Sequence, residues 1–170
     1  AISFLKPYQK SRILTFLNPE RDPLGAGYQI IQSKIAIGSG GLFGKGFLQG
    51  SQSYLDYLPE KHTDFIFTLF SEEFGFFGSL FILFLYAIIV WRIIRIGNQT
   101  RSNFGKLYCF SFGTAFFLYV VVNMMMVLGL LPIVGSPLPI MSYGGSSMMA
   151  IMLGLGIAMS CKIYKDTPVN

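Results

Sequence analysis

The stretch Phe74–Trp91, FGFFGSLFILFLYAIIVW, decides the fold. It carries no charge and is rich in Phe, Leu and Ile. About 20 apolar residues in a helix cross the hydrocarbon core of a bilayer, so this stretch with its flanks predicts a membrane span. The whole chain agrees. It is 52% hydrophobic and 12% charged, about half the charge of an ordinary soluble domain. The net charge of +5 is mild. The basic residues form no stripe interleaved with aromatics, which sets nucleic acid aside as a partner.

Working outward, three spans are predicted, at about 65–91, 107–131 and 144–161. Between the last two lies PIVGSPLPIMSYGG, apolar but interrupted by Pro132, Pro137 and Pro139. Those prolines forbid a regular helix. Irregular backbone at membrane depth must be buried in protein or line a wet cavity, so a partly re-entrant loop is expected. Residues 1–62 are polar and punctuated by Gly and Pro. Within them Leu24, Tyr28, Ile31 and Ile35 recur at helical spacing, with Gln29, Gln32 and Ser33 on other faces. That pattern predicts a short amphipathic helix on the rest of the protein or on the membrane surface. The expected division is a loop region, 1–62, and a membrane domain, 63–170. The opening AISFLKPYQKSR has neither the apolar core nor the cleavage site of a signal peptide, and the chain reads as a fragment lacking its upstream part.

Orientation follows from charge. WRIIRIGNQTRSNFGK carries Arg92, Arg95, Arg101 and Lys106 and no acid, which places it in the cytoplasm. The tail with Lys162 and Lys165 then lies inside too, and residues 1–62 lie outside. Cys109 and Cys161 fall in apolar segments without metal-binding spacing and read as small buried hydrophobes.

Two stretches carry candidate chemistry. IAIGSGGLFGKGFLQG matches neither a P-loop nor a dinucleotide fingerprint. It reads either as a flexible surface loop or as backbone that approaches a ligand, with Lys45 as a point charge for phosphate. LPEKHTDFIF, Leu58–Phe67, sets the only histidine and several charges at the lip of the first span. Numbered as a helix from Asp64, the residues Asp64, Thr68, Ser71, Glu72, Gly75 and Ser79 form one polar or small stripe, with Phe65, Phe67, Phe70, Phe74 and Phe77 turned to lipid. Acids at membrane depth are expensive and are functional candidates. The bland readings are helix capping for Asp64, ion pairing of Glu72 and Glu73 to a basic residue on an absent helix, and an interhelical hydrogen bond for Asn123. His62 alone makes no zinc site.

DPLGAGYQIIQSKIAIGSGGLFGKG, LPEKHTDFIF, EEFGFFG and LPIVGSPLPIMSYGGSS together resemble the SEDS family of bacterial membrane proteins, and the first segment is more similar to its elongation branch (RodA) than to its division branch (FtsW). The resemblance runs from about Lys6 to about Ser160. It implies an all-α polytopic fold of about ten helices, of which this chain holds the large extracytoplasmic loop and the last three spans. It also implies a place in the bacterial cytoplasmic membrane and in peptidoglycan biosynthesis during cell elongation, shape maintenance and division. The implied activity is glycosyltransfer. Lipid II, a disaccharide-pentapeptide on undecaprenyl diphosphate, is polymerised with a class B penicillin-binding protein transpeptidase and the elongation machinery as partners. The family's essential aspartate falls on Asp64. The sequence-level reading makes Asp64 the general base, worth about 10²–10⁴-fold. Lys45, Lys61, His62, Gly40, Gly41, Gly44, Glu72, Asn123 and Ser142 are candidate substrate contacts. No dedicated metal ligands are identified; a divalent cation could assist the diphosphate. The competing functions are a lipid II flippase and a non-enzymatic scaffold for a transpeptidase.

Overall fold

The structure, a computed structural model, describes residues 26–50 and 63–164, and these are helical with irregular connections and no strand. In chain order the helices are α1 (Ala26–Ser39), α2 (Ile66–Gln99), α3 (Asn103–Val127) and α4 (Gly145–Ile163). The last three are long and apolar enough to cross a membrane. Only 11% of the most apolar window of α2 is buried within the chain. Its Phe76, Phe77, Phe81 and Phe84 remain exposed, so burial inside this chain is not what makes the stretch apolar. An environment of lipid or further protein accounts for it.

The helices end where local chemistry stops them. At the end of α2, Thr100 turns extended and its hydroxyl donates to the Ile96 carbonyl at 2.8 Å. At the end of α3, Gly129 takes a left-handed φ of 67°. Leu130 N donates to Met125 O and Gly129 N to Met126 O, which satisfies two orphan carbonyls in a Schellman arrangement. The α2 helix runs eight residues past the predicted limit of 91, because Arg92 and Arg95 continue it; the Arg95 guanidinium lies 5.2 Å from the Trp91 ring centroid.

Packing is tightest where side chains are small. A Cβ at Gly154 of α4 would overlap the Phe112 ring of α3, and the Tyr108 hydroxyl donates to the Gly154 carbonyl at 3.1 Å. Small residues let membrane helices approach closely. The main core gathers Phe65, Phe67, Tyr86, Phe116, Val120 and Leu138. It therefore joins α2 and α3 to the proline-rich segment, whose Pro139 carbonyl accepts a hydrogen bond from the Tyr86 hydroxyl.

Two expectations are corrected here. Helix α1 forms, but its buried face is Ile30, Ser33 and Ala36, while Ile31 and Ile35 are exposed. The small Ser33 and Ala36 permit close docking, and the Ser33 hydroxyl reaches the Val127 carbonyl at 2.9 Å. The bulky stripe is left outside. Likewise Phe65 and Phe67 are not turned to lipid; both are buried, because α3 and the proline-rich segment wall in the start of α2.

Candidate functional site

Helix α2 is not continuous. Gly75 has φ 67° and ψ −162°, which divides the helix into a short first segment and a long second one. In an unbroken helix Phe76 N and Phe77 N would donate to the carbonyls of Glu72 and Glu73. Instead they donate to the carbonyls of Gly41 and Leu42, at 2.9 and 3.3 Å, while Lys45 N and Gly46 N donate to Glu72 O and Glu73 O at 3.0 and 3.1 Å. The glycine-rich loop is thus threaded into the hydrogen-bond ladder of α2. Two intrahelical bonds are replaced by four loop–helix bonds, so the amides of Phe76 and Phe77 and the carbonyls of Glu72 and Glu73 all stay bonded across the break.

The glycines make that insertion possible. A Cβ on Gly40 would sit 2.3 Å from the Ser71 carbonyl oxygen, one on Gly44 2.0 Å from the Glu73 carbonyl oxygen, and one on Gly75 2.3 Å from Gly44 N. Gly41 is different: a Cβ there meets nothing within 4 Å. The loop backbone does approach something closely, and what it approaches is α2.

Side chains lock the same junction. Glu72 is fully buried and its Oε1 accepts from Lys45 Nζ at 2.7 Å; the Lys45 side chain is 31% exposed. The expected partner on an absent helix is therefore corrected: a basic residue within this chain pairs with Glu72, brought there by the loop. Ser79 Oγ lies 2.8 Å from both the Gly75 carbonyl and the Ser71 hydroxyl, bridging the break on the other side.

Asp64 belongs to a second cluster. It precedes α2, whose N-cap is Phe65 with no side-chain capping bond. The helical stripe starting at Asp64 is corrected accordingly: Asp64 stands outside the helix, and the break at Gly75 interrupts the rest. Asp64 is half-buried, and its Oδ2 is 3.4 Å from where a Cβ of Gly135 would be. Its main chain is tied to α3: Asn123 Nδ2 donates to Asp64 O at 2.9 Å and to Ser136 O at 2.7 Å. Ser142 Oγ donates to Thr63 O at 2.9 Å.

The predicted site residues thus fall into two groups. Asp64, Asn123 and Ser142 meet at the start of α2. Gly40, Gly41, Gly44, Lys45 and Glu72 meet about two helical turns away, roughly 12 Å along the axis. Lys61 and His62 lie outside the described residues. Sequence reasoning missed Gly75 as a break and Gly135 as the neighbour of Asp64. The EEFGFFG motif held the signal for Gly75, since a glycine inside an apolar helix that docks a second glycine-rich stretch marks close backbone approach. Among the described residues no group of three His, Cys, Asp or Glu side chains could hold a metal.

Residues 1–167 match the FtsW/RodA/SpoVE cell cycle protein family. The chain belongs to this family. The FtsW/RodA/SpoVE chain is 51% identical over 158 residues to the peptidoglycan glycosyltransferase MrdB of Escherichia coli strain K12, covering 93% of this chain and 43% of that protein. It is 46% identical over 159 residues to the peptidoglycan glycosyltransferase RodA of Treponema pallidum, covering 94% and 37%. A solved peptidoglycan synthase complex coordinating polymerization and crosslinking contains a chain matching it with TM-score 0.77 and 33% identity, over 96% of this chain and 44% of that one. The crystal structure of a mutant rod shape determining protein RodA from Thermus thermophilus matches with TM-score 0.62 and 31% identity, over 74% and 39%. The chain spans less than half the length of these relatives. Family membership and three apolar helices make it an all-helical integral membrane protein.

Proposed function

We propose that this chain works as the C-terminal part of a peptidoglycan glycosyltransferase that joins lipid II disaccharides into glycan strands during cell elongation. The single observation that carries the reading is the placement of Asp64. A carboxylate stands at the mouth of a membrane helix, with its backbone held by α3 and its Oδ2 beside Gly135. The similarity to proteins named peptidoglycan glycosyltransferases supports the reaction class.

In this reading an acceptor sugar hydroxyl attacks the anomeric carbon of a lipid-linked donor. The new C–O bond forms as the bond to the diphosphate breaks, and Asp64 takes the hydroxyl proton, a contribution of about 10²–10⁴-fold. Undecaprenyl diphosphate leaves with the electron pair. It needs no proton, so one carboxylate suffices, and cations stabilise the charge that develops on it. Lys61 and His62, adjacent to Asp64 in sequence, serve as substrate contacts. Lys45 adds positive charge near the loop while holding Glu72. The partner is a class B penicillin-binding protein transpeptidase. Residues 1–62 face outward and the C-terminus faces the cytoplasm, from the four basic residues around the α2–α3 junction, Arg92, Arg95, Arg101 and Lys106.

The test uses the full-length protein with its transpeptidase partner in detergent, supplied with lipid II. Asp64→Asn keeps the shape of the side chain and loses the proton acceptor. Polymer formation should disappear while membrane insertion and partner binding persist. Near-normal polymer from that variant removes Asp64 from the base role. Absence of polymer from the unmodified protein, with lipid II crossing vesicle membranes instead, replaces the enzyme by a flippase.

A further inference from the structure

Asn123 is the amide of an otherwise apolar run, VVVNMMM, and it is fully buried. Both groups it touches are carbonyl oxygens, those of Asp64 and Ser136. The amide nitrogen must face them, since only N–H groups can bond to two acceptors. Its Oδ1 is buried with no hydrogen-bond partner. A buried amide oxygen left unpaired is a standing cost that an apolar residue of similar size would avoid. The residue is therefore justified by its two N–H bonds and by what they hold.

They hold the surroundings of Asp64. Asp64 precedes α2, where Thr68 N donates to Phe65 O. Asn123 supplies a donor to the Asp64 carbonyl from α3. Its second bond fixes Ser136, next to Gly135, the residue beside which the Asp64 carboxylate sits. One buried amide thus ties together the backbone of the carboxylate and the backbone of the wall beside it.

We propose that Asn123 is the positioning residue that sets the Asp64 carboxylate against the Gly135–Ser136 turn, and that it governs turnover without touching substrate. This inference rests on the reading of Asp64 as general base. Misplacing a reacting group by about 1 Å costs on the order of 10²-fold in rate, while a change seen only in the reaction step leaves KM in place.

The experiment measures kcat and KM for lipid II with full-length protein and partner, for Asn123→Leu, Asn123→Ser and the Asp64→Asn control. The expected result for Asn123→Leu is a kcat fall on the order of 10²-fold with KM within about twofold. Asn123→Ser keeps one donor and should fall between Asn123→Leu and the unmodified protein; it decides alone if Asn123→Leu does not fold. A raised KM with kcat unchanged makes Asn123 a substrate contact and overturns the proposal. Unchanged kcat and KM in folded protein, with only a lower thermal midpoint, make it structural and overturn it as well. The control separates the two readings. An active Asp64→Asn removes the base assignment, whereas an inactive Asp64→Asn beside a normal Asn123→Leu removes only this one.

Discussion

Alanine at Gly44 tests whether the glycine-rich loop is part of the α2 ladder. A Cβ there would lie 2.0 Å from the Glu73 carbonyl oxygen, far inside contact distance, and the atom it meets is backbone. The loop must leave. Four loop–helix hydrogen bonds are lost. If the helix then closes at Gly75, the bonds from Phe76 N to Glu72 O and from Phe77 N to Glu73 O return. Two bonds are lost net, about 0.5–1.5 kcal/mol each. The departing loop also carries Lys45 away from the buried Glu72. Removing one partner of a buried ion pair costs about 3–5 kcal/mol, and the low end applies because the lysine side chain is 31% exposed. Together these put Gly44→Ala at about 4–6 kcal/mol of destabilisation. Gly38→Ala is the control, because its Cβ would meet nothing within 4 Å. Inside α1 it should stabilise by about 0.5–1 kcal/mol. The assay is the thermal midpoint of the full-length protein in detergent, read by fluorescence-detected size exclusion. Gly44→Ala should melt well below the unmodified protein, and Gly38→Ala at or above it. Equal midpoints for the two variants would refute the insertion of the loop into α2.

Glu72→Gln keeps an acceptor for Lys45 and should lose only about 1 kcal/mol, retaining measurable polymerisation, whereas Glu72→Ala should lower membrane yield. A well-folded but inactive Glu72→Gln would instead put Glu72 in the reaction. Reporter tags after Gly97 and after Asn170 should both read cytoplasm and a tag near Gln52 should read outside; reversed labelling would remove Asp64 from the extracytoplasmic side. Tyr86→Phe deletes the bond to the Pro139 carbonyl and should lower stability by about 1 kcal/mol with kcat unchanged, measured by thermal midpoint and polymer yield.

Much of the architecture was legible in order along the chain. Uncharged length alone marks the three apolar helices, because backbone groups in lipid must be bonded within the segment. The prolines at 132, 137 and 139 announce the irregular segment by the same logic, since each removes a donor and blocks a turn. Asp64 stood out because an acid beside a membrane span is expensive wherever it is not used. These are local properties, set by each residue and its near neighbours.

What only the tertiary structure decided is which distant segments share hydrogen bonds. Gly75 sits in a stretch whose composition reads as unbroken helix; its left-handed φ becomes favourable only because Gly41, Leu42, Lys45 and Gly46 arrive to bond the freed groups. Glu72 looked as if it awaited a partner elsewhere, and the loop delivered Lys45. Ile31 and Ile35 form the obvious stripe of α1, yet Ser33 and Ala36 dock, because closeness to α3 favours small side chains over greasy ones. Asn123 reads as an interhelical bond from its helix alone. Its two acceptors, Asp64 O and Ser136 O, are backbone atoms from outside regular structure, and no periodicity along the chain encodes where such atoms will lie.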